Sequence, residues 1–117
     1  MNRFGFRILN HGDREILFRY GGRSRPIPAH GAIEVDFPGW YDAIEAVNRL
    51  HEVMLLLTAS FRCGPNVFDF EIVPTEFGYR VYSDSEGVFD IELIDPQPDR
   101  ICLPGGAFLT TNGSLAP

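Results

Sequence analysis

Apolar and polar residues alternate with a period of two along most of this 117-residue chain, and they change to a helical period in one stretch. At about 100° per residue, Trp40, Ala43, Ile44, Val47, Leu50, His51 and Met54 share one sector, with Asp42, Glu45, Asn48, Arg49 and Glu52 opposite. This pattern predicts an amphipathic helix over 38–53 whose apolar face is core. Asp36 and Pro38 are residue types suited to its entry, and Glu45 and Arg49 form a favourable pair one turn apart. A helix this short is marginal alone in water, so it is expected to lie on a sheet.

Strands are predicted on both sides of it. Phe4, Phe6 and Ile8 alternate with Gly5, Arg7 and Leu9, the turn residues 10–13 follow, and Ile16, Phe18 and Tyr20 resume the alternation, which reads as a β-hairpin. Gly21-Gly22 and Pro26-Ile27-Pro28 mark 21–31 as a long polar loop before a third strand through Ile33, Val35 and Phe37. After the helix, 54–60 is too short an apolar run for periodicity to type and is assigned as a buried strand, followed by a turn at 62–66. The clearest strand signal is a meander over 67–73, 79–83 and 88–94. Its inner face would carry Phe68, Phe70, Ile72, Tyr79, Val81, Phe89, Ile91 and Leu93, and its outer face Asp69, Glu71, Arg80, Tyr82, Asp90 and Glu92.

From residue 96 the chain turns rich in proline and glycine, with short apolar islets at 101–103 and 107–109. The expected organisation is one globular domain over 1–95 and an extended C-terminal arm over 96–117. The arm would be ordered by lying on another surface, its own domain's or, as the favoured host, a neighbour's, with Ile101, Leu103, Phe108 and Leu109 as anchors and Gly105-Gly106 as a hinge. The fold class predicted is mainly β with one α-helix, a β-sandwich or β-roll with the helix packed on the sheet.

Composition narrows the possibilities. Ten Phe, four Tyr and one Trp can fill a core at this length. The longest apolar run, Val53 to Leu57, is far short of the roughly 18 residues of a membrane span. Charged residues near the start interrupt any signal-peptide core. No secretion by a standard signal and no membrane association are therefore expected. Cys63 and Cys102 lack metal-ligand or redox spacing and read as reduced thiols. All ten basic residues are arginine, which excludes lysine-based Schiff-base and phosphate-loop chemistry. Residues 1–30 carry a balance of +4 and residues 31–117 a balance of −10, so a basic end of one copy could meet an acidic patch of another copy or of a partner.

Candidate chemistry is sparse. Carboxylates around Arg80 on the outer face of the meander read as a solvated ion-pair surface rather than an acid–base pair. Asp84 to Gly87 is too short for a calcium loop. His51 is expected as a core or boundary residue with a hydrogen-bonded ring, and His11 and His30 lack sequence-adjacent partners for a triad or ligand set. No catalytic residue, cofactor or metal site is assigned. The polar stretch around Gly21-Gly22, with Arg19, Arg23 and Arg25, is assigned as a candidate protein interface, since a sequence pI of about 4.9 disfavours nucleic acid.

The opening segment ILNHGDREILFRYGGRSRPIPAHGAIEVDF passes from a strand through an Asn-x-Gly turn to a second strand, a polar loop and Pro-x-x-Gly before a further strand. Over these thirty residues it resembles small β-rich accessory proteins of tailed-phage virions. The resemblance implies a non-catalytic structural or adaptor subunit of the head, neck or tail, working as part of an oligomer with other protein subunits. It would be located in the virion, or in the producing cell's cytoplasm before assembly. The alternative function is a small-ligand or glycan-binding module with Trp40, Tyr41 and Tyr82 as an aromatic platform.

Overall fold

The computed structural model describes residues 3–61 and 70–94, together with the backbone of three short strands at 100–102, 108–110 and 115–116. The elements are β1 (Gly5–Asn10), β2 (Ile16–Tyr20), β3 (Arg23–Ile27), β4 (Ala32–Asp36), α1 (Ala43–Ala59), β5 (Phe70–Pro74), β6 (Gly78–Ser83), β7 (Gly87–Ile94), β8 (Arg100–Cys102), β9 (Phe108–Thr110) and β10 (Leu115–Ala116). The fold is mainly β with one α-helix, as the alternation predicts. Five strands form an antiparallel sheet in the order β4-β1-β7-β6-β5. The meander forms as expected, with Val81 opposite both Ile72 and Phe89. Its first residues, including Phe68 and Asp69, and the turn at 62–66 lie outside the described residues.

Alternation gives this sheet two unlike faces. Phe6, Ile8, Ile33, Val81, Phe89 and Ile91 are buried on one face, while Arg7, Glu34, Glu92, Arg80 and Asp90 line the other. The apolar face is covered by α1 together with a second, two-stranded sheet made of β2 and β3. Phe6 of β1 meets Phe18 edge-on at 6.3 Å and Tyr20 at 5.1 Å, and packs on Phe37 at 5.4 Å. Past the helix end, Phe61 packs on Phe89 at 5.2 Å.

Pairing in the N-terminal region differs from the sequence expectation. β1 and β2 do not form a hairpin, since β1 pairs with β4 and β7, and β2 pairs with β3. The reason lies in two loops. Gly21 and Gly22 both have positive φ (60° and 76°), the requirement of a two-residue hairpin turn whose twist suits its strands. The expected polar loop 21–31 is therefore a tight turn followed by strand β3. Between β1 and β2, the buried Asn10 side chain holds the chain in a different path: its Oδ1 accepts from the Gly12 amide at 2.8 Å, and its Nδ2 donates to Arg14 O at 2.8 Å and Ile27 O at 3.3 Å. That path takes β2 off the sheet and over its apolar face.

The helix also differs. It runs from Ala43 to Ala59 rather than over 38–53, and it absorbs the segment 54–60, which the apolar run alone assigns to a strand. Asp36 ends β4 instead of opening the helix, and the cap is Asp42, whose Oδ1 accepts from the Glu45 amide at 2.8 Å. Hydroxyls extend it at the other end: Thr58 Oγ1 donates to Met54 O and Leu55 O, and Ser60 Oγ donates to Leu57 O at 2.6 Å. With the extra turn included, Val53 and Leu57 join Ala46, Leu50 and Met54 in the core. The centre of the buried face lies about 75° round the helix from the expected one. Ile44 and Val47, expected in the core, are 75 % and 48 % exposed. His51, expected as a core or boundary residue, is exposed, with its ring edge-on to Tyr79 and Nδ1 3.3 Å from the Tyr79 hydroxyl.

In the C-terminal segment, β8, β9 and β10 pair with one another as a three-stranded antiparallel sheet. Ile101 lies opposite Leu109, and Cys102 opposite Phe108. Leu103, the hinge glycines and Cys63 lie outside the described residues.

The helix phase is directly testable. Leu50→Ala removes a buried side chain and should cost about 3 kcal/mol, Asp42→Ala about 1 kcal/mol through the lost cap, and Val47→Ala no more than about 0.5 kcal/mol. Urea denaturation midpoints provide the measurement, and equal shifts for Leu50→Ala and Val47→Ala would contradict the phase described.

Candidate interaction surface

The layer formed by α1 and the β2–β3 hairpin has an outward side whose composition follows from strand and helix periodicity. In β2, Ile16 and Phe18 point to the core, so Leu17 and Arg19 point outward, with Leu17 53 % exposed. Register places Pro26 opposite Leu17, and Ser24 opposite Arg19. The turn at Gly21-Gly22 has open space around it. Of the three arginines assigned to an interface, Arg19 and Arg23 are exposed and their side chains bond to nothing among the described residues; Arg19 is on the outward face, and Arg23, opposite Tyr20, is on the other.

Arg25 has a different position. The Phe37 amide donates to Phe4 O at 2.9 Å. With the register Gly5↔Asp36 through Leu9↔Ala32, this sets the phase of the β1–β4 ladder, in which bonded and non-bonded pairs alternate. Glu34 falls on a non-bonded pair, so its carbonyl faces the free edge of β4. Arg25 Nη1 donates to that carbonyl at 2.8 Å, closing one acceptor on an edge that would otherwise be open to strand addition.

Beside the hairpin, α1 presents Ile44, Leu55 (50 % exposed) and Leu56 outward, together with Glu45 and Glu52. Arg49 Nη1 pairs with Glu52 Oε2 at 3.0 Å, and its guanidinium lies 5.4 Å from the Tyr41 ring centre; the hydrogen bond to Glu52 raises its pKa. The hairpin reaches this part of the helix at Tyr20, whose hydroxyl pKa is raised chiefly by burial and to a lesser degree by Tyr41 and Glu52, against the opposing pull of Arg49. The aromatic platform expected for a ligand is divided. Tyr41 packs edge-on against Phe37 at the helix entry next to the 63 % exposed Trp40, whereas Tyr82 lies on the opposite, polar face of the large sheet.

On that polar face both arginines have carboxylate partners. Arg7 bridges Glu34 at 2.6 Å and Glu92 at 3.6 Å. Arg80 binds Asp90 with both Nε and Nη2, at 2.6 and 2.8 Å, and His11 Nε2 lies 3.0 Å from the same carboxylate. The Arg80 hydrogen bonds hold the Asp90 carboxyl below its ordinary pKa, outweighing burial, with His11 acting in the same direction; Arg80 is raised in return, Asp90 being the largest cause. A carboxylate so held stays ionised and is poorly suited to proton transfer near neutrality. His30 Nε2 likewise lies 2.9 Å from Asp13. Sequence reasoning misses both His–Asp pairs because their partners are 79 and 17 residues apart. A cleft of about 300 Å³ beside the helix end is lined by Arg14, Glu15, Ile16, Leu17, Ser60 and Glu86. Arg14 crosses to Glu86 at 3.0 Å and to the Ser85 carbonyl.

Among the described residues, no group of three or more His, Cys, Asp or Glu is placed to hold a metal ion, and no helix is long and apolar enough to cross a membrane. No family model, no curated protein and no solved structure matches this chain.

Asp90 has a depressed folded-state pKa, so its contribution is present above the ordinary carboxylate range and is lost as pH falls through the folded value. Asp90→Asn should destabilise the fold by about 2 kcal/mol at pH 7, with a loss that shrinks towards pH 2 in urea melts at a series of pH values. A loss independent of pH would contradict the assignment. Separately, Arg25→Ser should lower stability by about 1 kcal/mol while Arg23→Ser leaves it unchanged, as read by thermal melting; identical melts would remove the distinction drawn between the two arginines.

Proposed function

We propose that this chain is a non-catalytic structural or adaptor subunit of a larger protein assembly. The single observation that carries this reading is the set of apolar side chains left uncovered on α1, Ile44, Val47, Leu55 and Leu56, with Trp40 exposed just ahead of the helix. A chain that buries Phe6, Phe18, Phe37 and Phe89 in a packed core, yet leaves four apolar side chains of one helix and Trp40 ahead of it in contact with water, has the surface expected of a subunit seeking a partner. The charged groups offer no competing chemistry, since His11, Arg80 and Asp90 satisfy one another. The more specific part of the proposal, an accessory component of a tailed-phage virion, rests on the resemblance of residues 8–37. Under that reading the segment 96–117, with Ile101, Leu103, Phe108 and Leu109, would add a second contact to a neighbouring subunit.

The proposal is tested by sedimentation of the purified 117-residue chain over a range of concentrations. A species heavier than the 13.2 kDa chain that reverts to that mass in Ile44→Glu or Leu55→Glu variants, with unchanged circular dichroism, supports it. A chain whose mass is that of a monomer throughout, and whose Trp40 fluorescence is quenched by saccharides, would replace it with the ligand-binding alternative.

A further inference from the structure

The hairpin and the helix lie side by side in one layer, and their outward surfaces are opposite in character. The hairpin's outward face carries Arg19, whose side chain has no partner among the described residues, beside the exposed Leu17 and Pro26. The helix and its cap carry Asp42, Glu45 and Glu52 against Arg49 alone, so this element is net acidic, and its acids adjoin the uncovered Ile44, Leu55 and Leu56. Within one molecule these two surfaces face the same way and cannot be laid on each other. Between two molecules they can.

We infer that the outward side of this layer binds a second copy of the same chain across a two-fold axis, the hairpin of each protomer lying on helix α1 of the other; this inference rests on the assembly reading above. A second copy is selected on three grounds. First, the charges are complementary: the unpaired Arg19 on one element would face uncompensated Glu45 on the other, an arrangement that favours correct encounter and fixes orientation. Second, the two surfaces are adjacent, so a rotation that brings one hairpin onto a partner helix brings the partner hairpin onto the first helix. The contact is then self-complementary and closes without leaving open ends. Third, the apolar groups match in kind, with Leu17 and Pro26, two residues along the hairpin from Arg19 and its pair, available to cover Ile44 beside Glu45 and remove it from water. The large sheet's polar face offers no such match, because Arg7 and Arg80 already have carboxylate partners in their own chain.

Charge reversal tests this geometry with the same 117-residue chain. Arg19→Glu and Glu45→Arg both alter exposed side chains, so circular dichroism and melting temperature should be unchanged. Each variant alone should dimerise at least about tenfold more weakly than the parent chain in sedimentation equilibrium. An equimolar mixture of the two should regain dimers, because the heterodimer brings the two reversed side chains together, again as opposite charges, at one contact and retains the parent Arg19 and Glu45 at the other. Raising the salt to about 0.5 M should weaken the parent dimer by screening. If an oligomer forms that Ile44→Glu dissociates but neither charge reversal affects, or if the mixture fails to restore association, the hairpin-on-helix geometry is overturned while the assembly reading stands. A chain that remains monomeric at every concentration overturns both.

Discussion

Everything in this fold follows from the need to cover one broad apolar face. Five strands spaced about 4.8 Å apart make a surface roughly 20 Å wide, whereas one helix with its side chains covers about 10 Å. Helix α1 can shield the side of the sheet formed by β7 and β6, but not Phe6, Ile8 and Ile33 of β1 and β4. The chain supplies the missing cover from its own β2 and β3, which give up pairing with the large sheet and place Phe18 and Tyr20 on Phe6. The second layer is therefore half helix and half hairpin.

That division decides the surface chemistry. Had β2 extended the large sheet, Arg19 would have joined Arg7 and Arg80 on a face already filled with carboxylates. Folded over the sheet instead, it sits on a surface whose other half is a helix with acids and uncovered aliphatic side chains. On the polar sheet face both arginines are paired with carboxylates of their own chain, whereas Arg19 on the outer side of the mixed layer is not, and the proposed association is placed there for that reason.

The two edges of the large sheet are handled separately. On β4, Arg25 occupies the outward-facing Glu34 carbonyl. On β5, the Thr75 amide bonds Gly78 O, which puts Pro74 on a non-bonded pair with its nitrogen turned away from β6. Proline is tolerated there because no ladder hydrogen bond is lost, and it denies an incoming strand one donor. Pro26 holds the equivalent position in the small hairpin, where the tight turn closed by Tyr20 and Arg23 makes the Leu17–Pro26 pair a non-bonded one. Docking by side chains on the mixed layer is thus more in keeping with this molecule than extension of either sheet.

Local sequence was sufficient wherever a segment's neighbours in space are also its neighbours in the chain. The alternation over 70–94 determined the meander, its inner and outer faces and the Arg80–Asp90 side of the sheet, because short loops leave those strands little choice of partner. The existence of one amphipathic helix was legible for the same reason. Tertiary structure decided what depends on distant partners. Periodicity showed that β2 is a strand but not that β3, rather than β1, would pair with it; that required the positive φ of Gly21 and Gly22 and the buried Asn10 side chain. It located the helix but not its phase, because Val53 to Leu57 is apolar on every side and only contact with the sheet selects Leu50, Val53 and Leu57 for burial over Ile44 and Val47. The His11–Asp90 pair could not be read locally at all, since a side-chain hydrogen bond between residues so far apart is set by strand register, and register is a property of the assembled sheet.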